Sequence, residues 1–365
     1  MTGATGYLGA QLLSELTRLP DVNIRCLVRG KDKAEAKAYL NEVLSCYFGS
    51  CPEITGKISV VRGDIERSRL GLSEADWRTL QDTDTIIHCA AVTDHVGYAE
   101  LFDRVNVNGT KHVIEAAKSC GAALLHISTT SVSGTVTLDG PDENKEFTER
   151  CYDIGQNYAD NVYVRSKFLA EGLILDAMSD GLNARIFRVG NLTATMDGRF
   201  QMRPEKNAFA NRLKAIAALG CVPLGMLGAH VELTPAELCA QAIIALTLMP
   251  GDKLPIYHVY NTNLLTGGEL VALMEQSGFR LRVISDKEFA EHMSALSRQG
   301  RLEELAGLMA ELNPGRRPLT ITVTAKETED RLRKTGFVWP IIGKAYISQF
   351  MEAVCRPKSE GSMGE

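Results

Sequence analysis

The sequence predicts an α/β fold: a doubly wound parallel sheet with helices on both faces, joined to a smaller, mostly helical C-terminal lobe. Three observations carry this reading. Short apolar runs alternate with segments of helical period from the N-terminus to residue 189. The runs are apolar almost without interruption, as in strands covered on both faces. A glycine-spaced turn, Gly3-Ala4-Thr5-Gly6-Tyr7-Leu8-Gly9, opens the first helix.

The elements follow in order. Leu8, Leu12, Leu13 and Leu16 recur at helical spacing. Asn23 to Arg29 reads as a strand ending in a base, and a charged amphipathic helix spans about 32–47. Ile58 to Asp64 and Thr85 to Ala91 read as strands, Asn106 to Lys118 as a helix, and Ala122 to Ser128 as a strand. A helix carrying Tyr163 and Lys167 runs to about Met178, and Ala184 to Val189 is the next strand. After residue 195 the pattern is more helical, with Ile256 to Asn261 returning to the sheet and a short strand at Leu319 to Val323. The expected division is a nucleotide-binding domain over 1–195, with 230–262 returning to it. A substrate lobe takes 196–229 and 263–356, and a polar tail takes 357–365. A glycine turn of this kind normally follows a buried strand, yet only two residues precede Gly3. The expectation is therefore a sheet lacking its first strand, in a fragment or excised domain of a larger polypeptide.

Composition narrows the function. The chain has 365 residues, is 45% hydrophobic and carries a formal net charge of −5, so electrostatics do not favour nucleic acid or an anionic membrane as partner. Its nine cysteines are scattered without a C-x-x-C pair, which reads as reduced thiols in a cytoplasmic protein. The seven histidines form no H-x-x-x-H pair or Cys/His cluster, which argues against a metal site. No apolar run approaches membrane-span length, and no signal peptide is expected. The acids Asp139, Asp142, Glu143 and Glu146 read as a solvated loop, and His95 and His126 as ordinary histidines without an evident partner.

Two features carry chemistry. A glycine turn that opens a helix offers backbone N–H groups to a pyrophosphate; a purely structural turn is the alternative. Tyr163 and Lys167 stand one helical turn apart, on one face. Tyr163 is the candidate acid, and Lys167 is expected to lower its pKa and to bind a nicotinamide ribose. One hydroxyl of Ser128-Thr129-Thr130-Ser131 can hold a carbonyl oxygen, unless the cluster only satisfies strand-end backbone groups. Where an NAD enzyme places an acid, this chain has Arg29, Gly30 and Lys31. Cations there suit the 2′-phosphate of NADP, and a solvated arginine is the alternative. Asp64 is placed to accept from an adenine amino group, or is a plain loop aspartate.

These pieces, with Gly63-Asp64, His88-Cys89-Ala90-Ala91 and Asn106-Val107-Asn108-Gly109-Thr110, resemble the extended short-chain dehydrogenase/reductase superfamily, with its Rossmann-like sheet. Within it the likeness is to thioester reductase domains of nonribosomal peptide synthetases, polyketide synthases and carboxylic acid reductases. It rests on Cys26-Leu27-Val28-Arg29, on Asp153 to Asn157 leading into Asn161 to Glu171, on Phe187 to Leu192, and on Val231 to Pro235 followed by Tyr257 to Asn261. It runs from residue 2 to about 262.

The resemblance implies a catalytic set of Thr129, Tyr163 and Lys167, with Thr129 chosen because it lies five residues before Gly134. It implies NADPH contacts from Gly3, Thr5, Gly6, Tyr7 and Leu8, and from Arg29, Lys31, Asp64 and Ile65. Further contacts are implied for Ala90, Ala91, Val92, Asn108, Val189 and Asn191, beside Tyr163 and Lys167 themselves. It also implies a carrier protein with a phosphopantetheine arm as partner, a thioester as substrate, and an aldehyde or alcohol product. The alternatives left open are a fatty acyl-CoA reductase, a nucleotide-sugar epimerase or dehydratase, and an NADP sensor without catalysis.

Overall fold

The computed structural model describes residues 1–49, 57–94, 97–135, 145–251, 253–298 and 321–355. His95, the acids Asp139, Asp142 and Glu143, Leu319-Thr320 and the tail 357–365 lie outside the described residues. The chain divides into two units, Met1–Leu192 with Ala236–Thr262 and Arg317–Trp339, and Thr193–Pro235 with Asn263–Arg316 and Pro340–Glu365.

In the first unit the apolar runs become parallel strands: β1 (Ile24–Val28), β2 (Ile58–Arg62), β3 (Thr85–His88), β4 (Ala123–Thr129), β6 (Ala184–Val189) and β7 (Ile256–Val259), with a two-residue strand, β5 (Glu146–Phe147), between β4 and β6 in the chain. β1 pairs with β2, and β3, β4, β6 and β7 pair in that order. Met1 and Thr2 join the two sets. The Met1 amino group donates to the Arg25 carbonyl at 2.6 Å and Leu27 N–H to the Met1 carbonyl at 2.9 Å. On the other side Thr2 N–H donates to the Ile87 carbonyl at 2.9 Å, and Cys89 N–H to the Thr2 carbonyl at 3.3 Å. The central gap expected from the sequence is thus bridged by two residues, because together they offer backbone groups to both neighbours.

Helices cover both faces. α1 (Tyr7–Thr17) and α5 (Ala236–Leu248) pack on Leu125, Ile127, Phe187, Val189, Tyr257 and Val259. α3 (Gly109–Cys120) and α4 (Val162–Ser179) pack on Ile86, Leu124, Ile186 and Ile256. The two sets alternate along each strand, as the period-2 pleat requires. α2 (Lys33–Phe48) covers β1 and β2 through Ala36, Leu40, Val43 and Leu44. Its start is set by Asp32, which accepts from Glu35 N–H at 2.9 Å. α4 starts where the Asn161 side chain accepts from the N–H groups of Tyr163 and Val164.

The segment Arg317–Trp339 belongs to this first unit, not to the lobe in which the sequence reading placed it. Strand β8 (Thr322–Val323) pairs in parallel with β5, and Thr328 accepts from His258 N–H at 3.0 Å. Leu332 on α6 (Lys326–Lys334) and Trp339 bury their side chains in the core beneath α5. Apolar burial outweighs proximity along the chain.

In the second unit, helices Ala208–Leu219, Gly267–Gln276 and Lys344–Cys355 share a core of Leu213, Ile216, Met274, Ile347 and Phe350. Cys221–Pro223 pairs with Arg282–Ile284, and His230–Val231 with Leu265–Thr266. No helix among the described residues is long and apolar enough to cross a membrane.

Candidate active site

The turn from Thr2 to α1 is built for close approach. Gly3 has φ +73°, and a Cβ there would meet Ala90 N at 2.5 Å. Gly9 packs so tightly on the turn that a Cβ would overlap the Gly3 carbonyl. Gly6 caps α1 without a side chain, so the first N–H groups of the helix are not satisfied by a cap. Tyr7 and Leu8 form the first turn; Leu8 is buried in the core. Thr5 sits at the turn between Gly3 and Gly6. A glycine cradle around uncapped N–H groups fits a pyrophosphate.

Beyond β1, Arg29 and Gly30 line a pocket of about 100 Å³ with Arg62, Gly63, Asp64, Arg67 and Gly71. Arg62 Nε donates to the Gly30 carbonyl at 3.0 Å, which ties the ends of β1 and β2 together. Three arginines therefore line one pocket, where the sequence points to Arg29 and Lys31. The ends of two paired parallel strands always meet at one edge, but a reading strand by strand does not add them together. Lys31 is not part of this pocket; its ammonium lies 3.8 Å from Glu35, one turn along α2. Asp64 holds the following loop, accepting from Glu66 N–H at 3.0 Å.

The segment Ala90-Ala91-Val92 follows β3. It is pinned by Asn106, which accepts from Val92 N–H at 2.8 Å and donates to the Val92 carbonyl at 2.9 Å and to Ser166 at 2.8 Å. Asn106 is buried and sits in a π-helical turn, Asp103–Asn108, ahead of α3. Of the two asparagines in the Asn-Val-Asn motif the sequence reading chose Asn108, which is exposed. Asn106 was legible only as its neighbour. Ile65 is buried against Gly109, Val189 ends β6 opposite Thr129, and Asn191 is exposed just beyond.

At the carboxyl end of β4 three residues meet. Thr129 and Tyr163 share a side-chain hydrogen bond. The Lys167 ammonium donates to the Ile127 carbonyl at 2.7 Å and lies 3.1 Å from His126 Nε2. Burial lowers Lys167 to a pKa of about 8, against the charge of Glu171. Burial also raises Tyr163 to about 12; the Thr129 hydrogen bond opposes this, and Cys89 adds to it. The expectation of a lowered phenol is therefore corrected, because desolvation of the buried phenolate outweighs the groups that favour it. At neutral pH Tyr163 is a protonated phenol, which is the form that gives a proton.

The reading of His126 as partnerless is corrected too. It is fully buried, held neutral by burial and by Lys167, and its Nε2 faces the ammonium. His88 stands opposite it in register and hydrogen-bonds with Thr2 at 2.8 Å and Thr110 at 3.1 Å. Among the described residues no group of three or more His, Cys, Asp or Glu could hold a metal ion.

Residues 1–243 match the model of an NAD-binding family described as Male sterility protein. The chain belongs to that family. Membership makes a nicotinamide dinucleotide its cofactor. Relatives of this NAD-binding family member include a subunit of the linear gramicidin synthase of Brevibacillus parabrevis, 28% identical over 80% of this chain and 6% of that protein. The carboxylic acid reductase of Mycobacterium tuberculosis is 30% identical over 72% of this chain and 24% of its own. Among solved structures, the terminal R domain of the myxalamid PKS-NRPS pathway superposes with a TM-score of 0.85 at 28% identity, covering 97% of this chain and 89% of that one. A thiolation-reductase di-domain from an archaeal nonribosomal peptide synthetase gives 0.82 at 28% identity, covering 97% and 74%. The family member is thus similar to reductase domains of synthetases and homologous to oxidoreductases, on an extended short-chain dehydrogenase/reductase fold. It spans 6% to 31% of the length of the curated relatives compared.

Proposed function

We propose that this domain uses NADPH to reduce an acyl or peptidyl thioester, borne on the phosphopantetheine arm of a carrier protein, to an aldehyde, with an alcohol as the product of a second round. The observation that carries the reading is the Thr129–Tyr163 hydrogen bond beside the buried Lys167, at the strand ends where such sheets bind ligands. The relatives, named as synthetases and carboxylic acid reductases, support the substrate class, and the thiolation-reductase di-domain supports a carrier-protein partner in a larger multidomain synthetase.

The glycine turn and the uncapped start of α1 would hold the pyrophosphate. Arg29, Arg62 and Arg67 would hold the 2′-phosphate, since guanidinium and phosphate form charge-assisted hydrogen bonds. Asp64, in the same pocket, is the acceptor for the adenine amino group. Bound there, the reduced nicotinamide supplies a hydride to the thioester carbonyl carbon. Thr129 and Tyr163 hold the carbonyl oxygen, and Tyr163 protonates it as charge develops. Ile127 and His126 take two of the three Lys167 protons, which leaves one N–H for a ribose hydroxyl. Loss of the carrier thiol from the resulting hemithioacetal gives the aldehyde, with no bond to the protein.

The test is NADPH oxidation with a panel of acyl-pantetheine and acyl-carrier thioesters, NADH in parallel, and products trapped as oximes. Thioester-dependent NADPH loss with a trapped aldehyde is expected. Folded, NADPH-binding protein that turns over no thioester would overturn the reading.

A further inference from the structure

α4 places three polar side chains on one face at successive turns, Tyr163, Lys167 and Glu171, and each is fastened to the last four residues of β4. Tyr163 meets Thr129, and Lys167 meets Ile127 and His126. Glu171 accepts from the Ser128 hydroxyl at 2.5 Å. The chemistry described above uses the first two fastenings and leaves the third unexplained.

Glu171 is fully buried, which an ionised carboxylate tolerates only with strong partners. Arg188, on β6, supplies them: Nε lies 3.1 Å from both carboxylate oxygens, and an Nη lies 2.6 Å from one. Arg188 also donates to the Cys151 carbonyl at 2.8 Å and to His258 Nε2 at 3.1 Å, and its guanidinium lies over the Phe147 ring. His258 is kept neutral by burial and by Arg188, with a pKa of about 3. Its Nδ1–H donates to the Thr324 carbonyl at 2.6 Å. Ser128, Arg188 and His258 are register partners across β4, β6 and β7. A polar row therefore runs across three strands directly under α4, and Glu171 is the residue of the helix that it grips.

We propose that Glu171 is a positioning residue for the reaction: clamped by Ser128 and Arg188, it fixes the end of β4 against α4 and so holds Thr129 and Lys167 in place. The proposal rests on the assignment of Lys167 and Tyr163 to the reacting set. The groups facing Lys167 are His126 from β4, Cys89 and His88 from the β3 side, and Tyr163 and Glu171 from α4 itself. Of these, Glu171 is the principal one that favours the charged lysine, whereas burial disfavours it.

The test reads the Lys167 titration directly, by lysine 13Cε NMR of the full chain, with Lys167→Met to assign the resonance. The pH profile of kcat/KM for NADPH and an acyl-pantetheine thioester is measured alongside. Glu171→Gln should move the lysine titration down by about one pH unit, and the kinetic limb with it. Merely loosened packing would move it the other way, towards the value of an exposed lysine. Glu171→Met/Arg188→Met, which replaces the buried pair by apolar chains of similar size, covers the case in which the single variant does not fold; a smaller downward shift is expected, because the opposing guanidinium leaves with the nearer carboxylate. An unchanged or raised lysine titration in a folded variant overturns the proposal. A lowered titration with an unmoved kinetic limb supports the positioning of Lys167 by Glu171 and removes Lys167 from the mechanism instead.

Discussion

The Lys167 ammonium lies 2.7 Å from the Ile127 carbonyl oxygen, so the helix that carries Tyr163 is tied to the strand that carries Thr129 two residues further on. The tie fixes the distance between the two hydroxyls that would hold a substrate oxygen.

Tyr163→Phe removes the proton donor and leaves the ring in place. Turnover should fall by about two to four orders of magnitude while NADPH affinity changes little. Single-turnover rates and fluorescence titration of NADPH check this. Wild-type-like turnover would take Tyr163 out of the mechanism.

Stability should depend on pH through Lys167. Its folded pKa of about 8 lies below the ordinary 10.5, so in that window the unfolded chain binds a proton that the native chain does not. The contribution of Lys167 to stability therefore rises as pH goes from about 8 towards 10, by roughly 2–3 kcal/mol, while the Cys89 thiol, raised by burial from 9.0 to about 12, opposes it from about pH 9 upward. Tyr163 acts oppositely above pH 10, where the unfolded phenol ionises first and its native value is about 12. Urea unfolding from pH 8 to 10 should show the stability of the wild type rising relative to that of Lys167→Met, since Cys89 is common to both. The same pH dependence in both proteins would exclude a contribution from Lys167.

Arg29 shares its pocket with Arg62, Arg67 and Asp64. Arg29→Ala should weaken NADPH by about 10- to 100-fold, the size of a lost hydrogen bond to a charged group, and leave NADH almost unchanged. Arg67→Ala should show the same bias. Equal losses for both cofactors would sink the phosphate-binding role.

Gly3→Ala should destabilise the domain by about 1–3 kcal/mol, because φ is +73° and the new methyl would meet the backbone at Ala90. NADPH affinity should fall as well, since the same turn presents the N–H groups of α1. A shift of the urea midpoint and a cofactor titration measure the two effects; an unshifted midpoint would mean that the turn relaxes freely.

The sequence by itself determined what is local. The period of the apolar residues specifies the strands and helices, the Gly3–Gly9 spacing specifies the turn, and the interval from Tyr163 to Lys167 places both on one face of a helix. These depend on backbone geometry repeating along a few residues. Tertiary structure decided what depends on strands distant in the chain lying side by side. It brought His126 to Lys167, joined Arg62 and Arg67 to Arg29, made Asn106 rather than Asn108 the buried asparagine, and returned Arg317–Trp339 to the first unit. It also reversed the expected shift on Tyr163, because a pKa answers to desolvation and to neighbours in space, and neither can be counted along the chain. The Glu171–Arg188 pair is the extreme case: two charged residues are fully buried because the register of β4, β6 and β7 closes a row of partners around them.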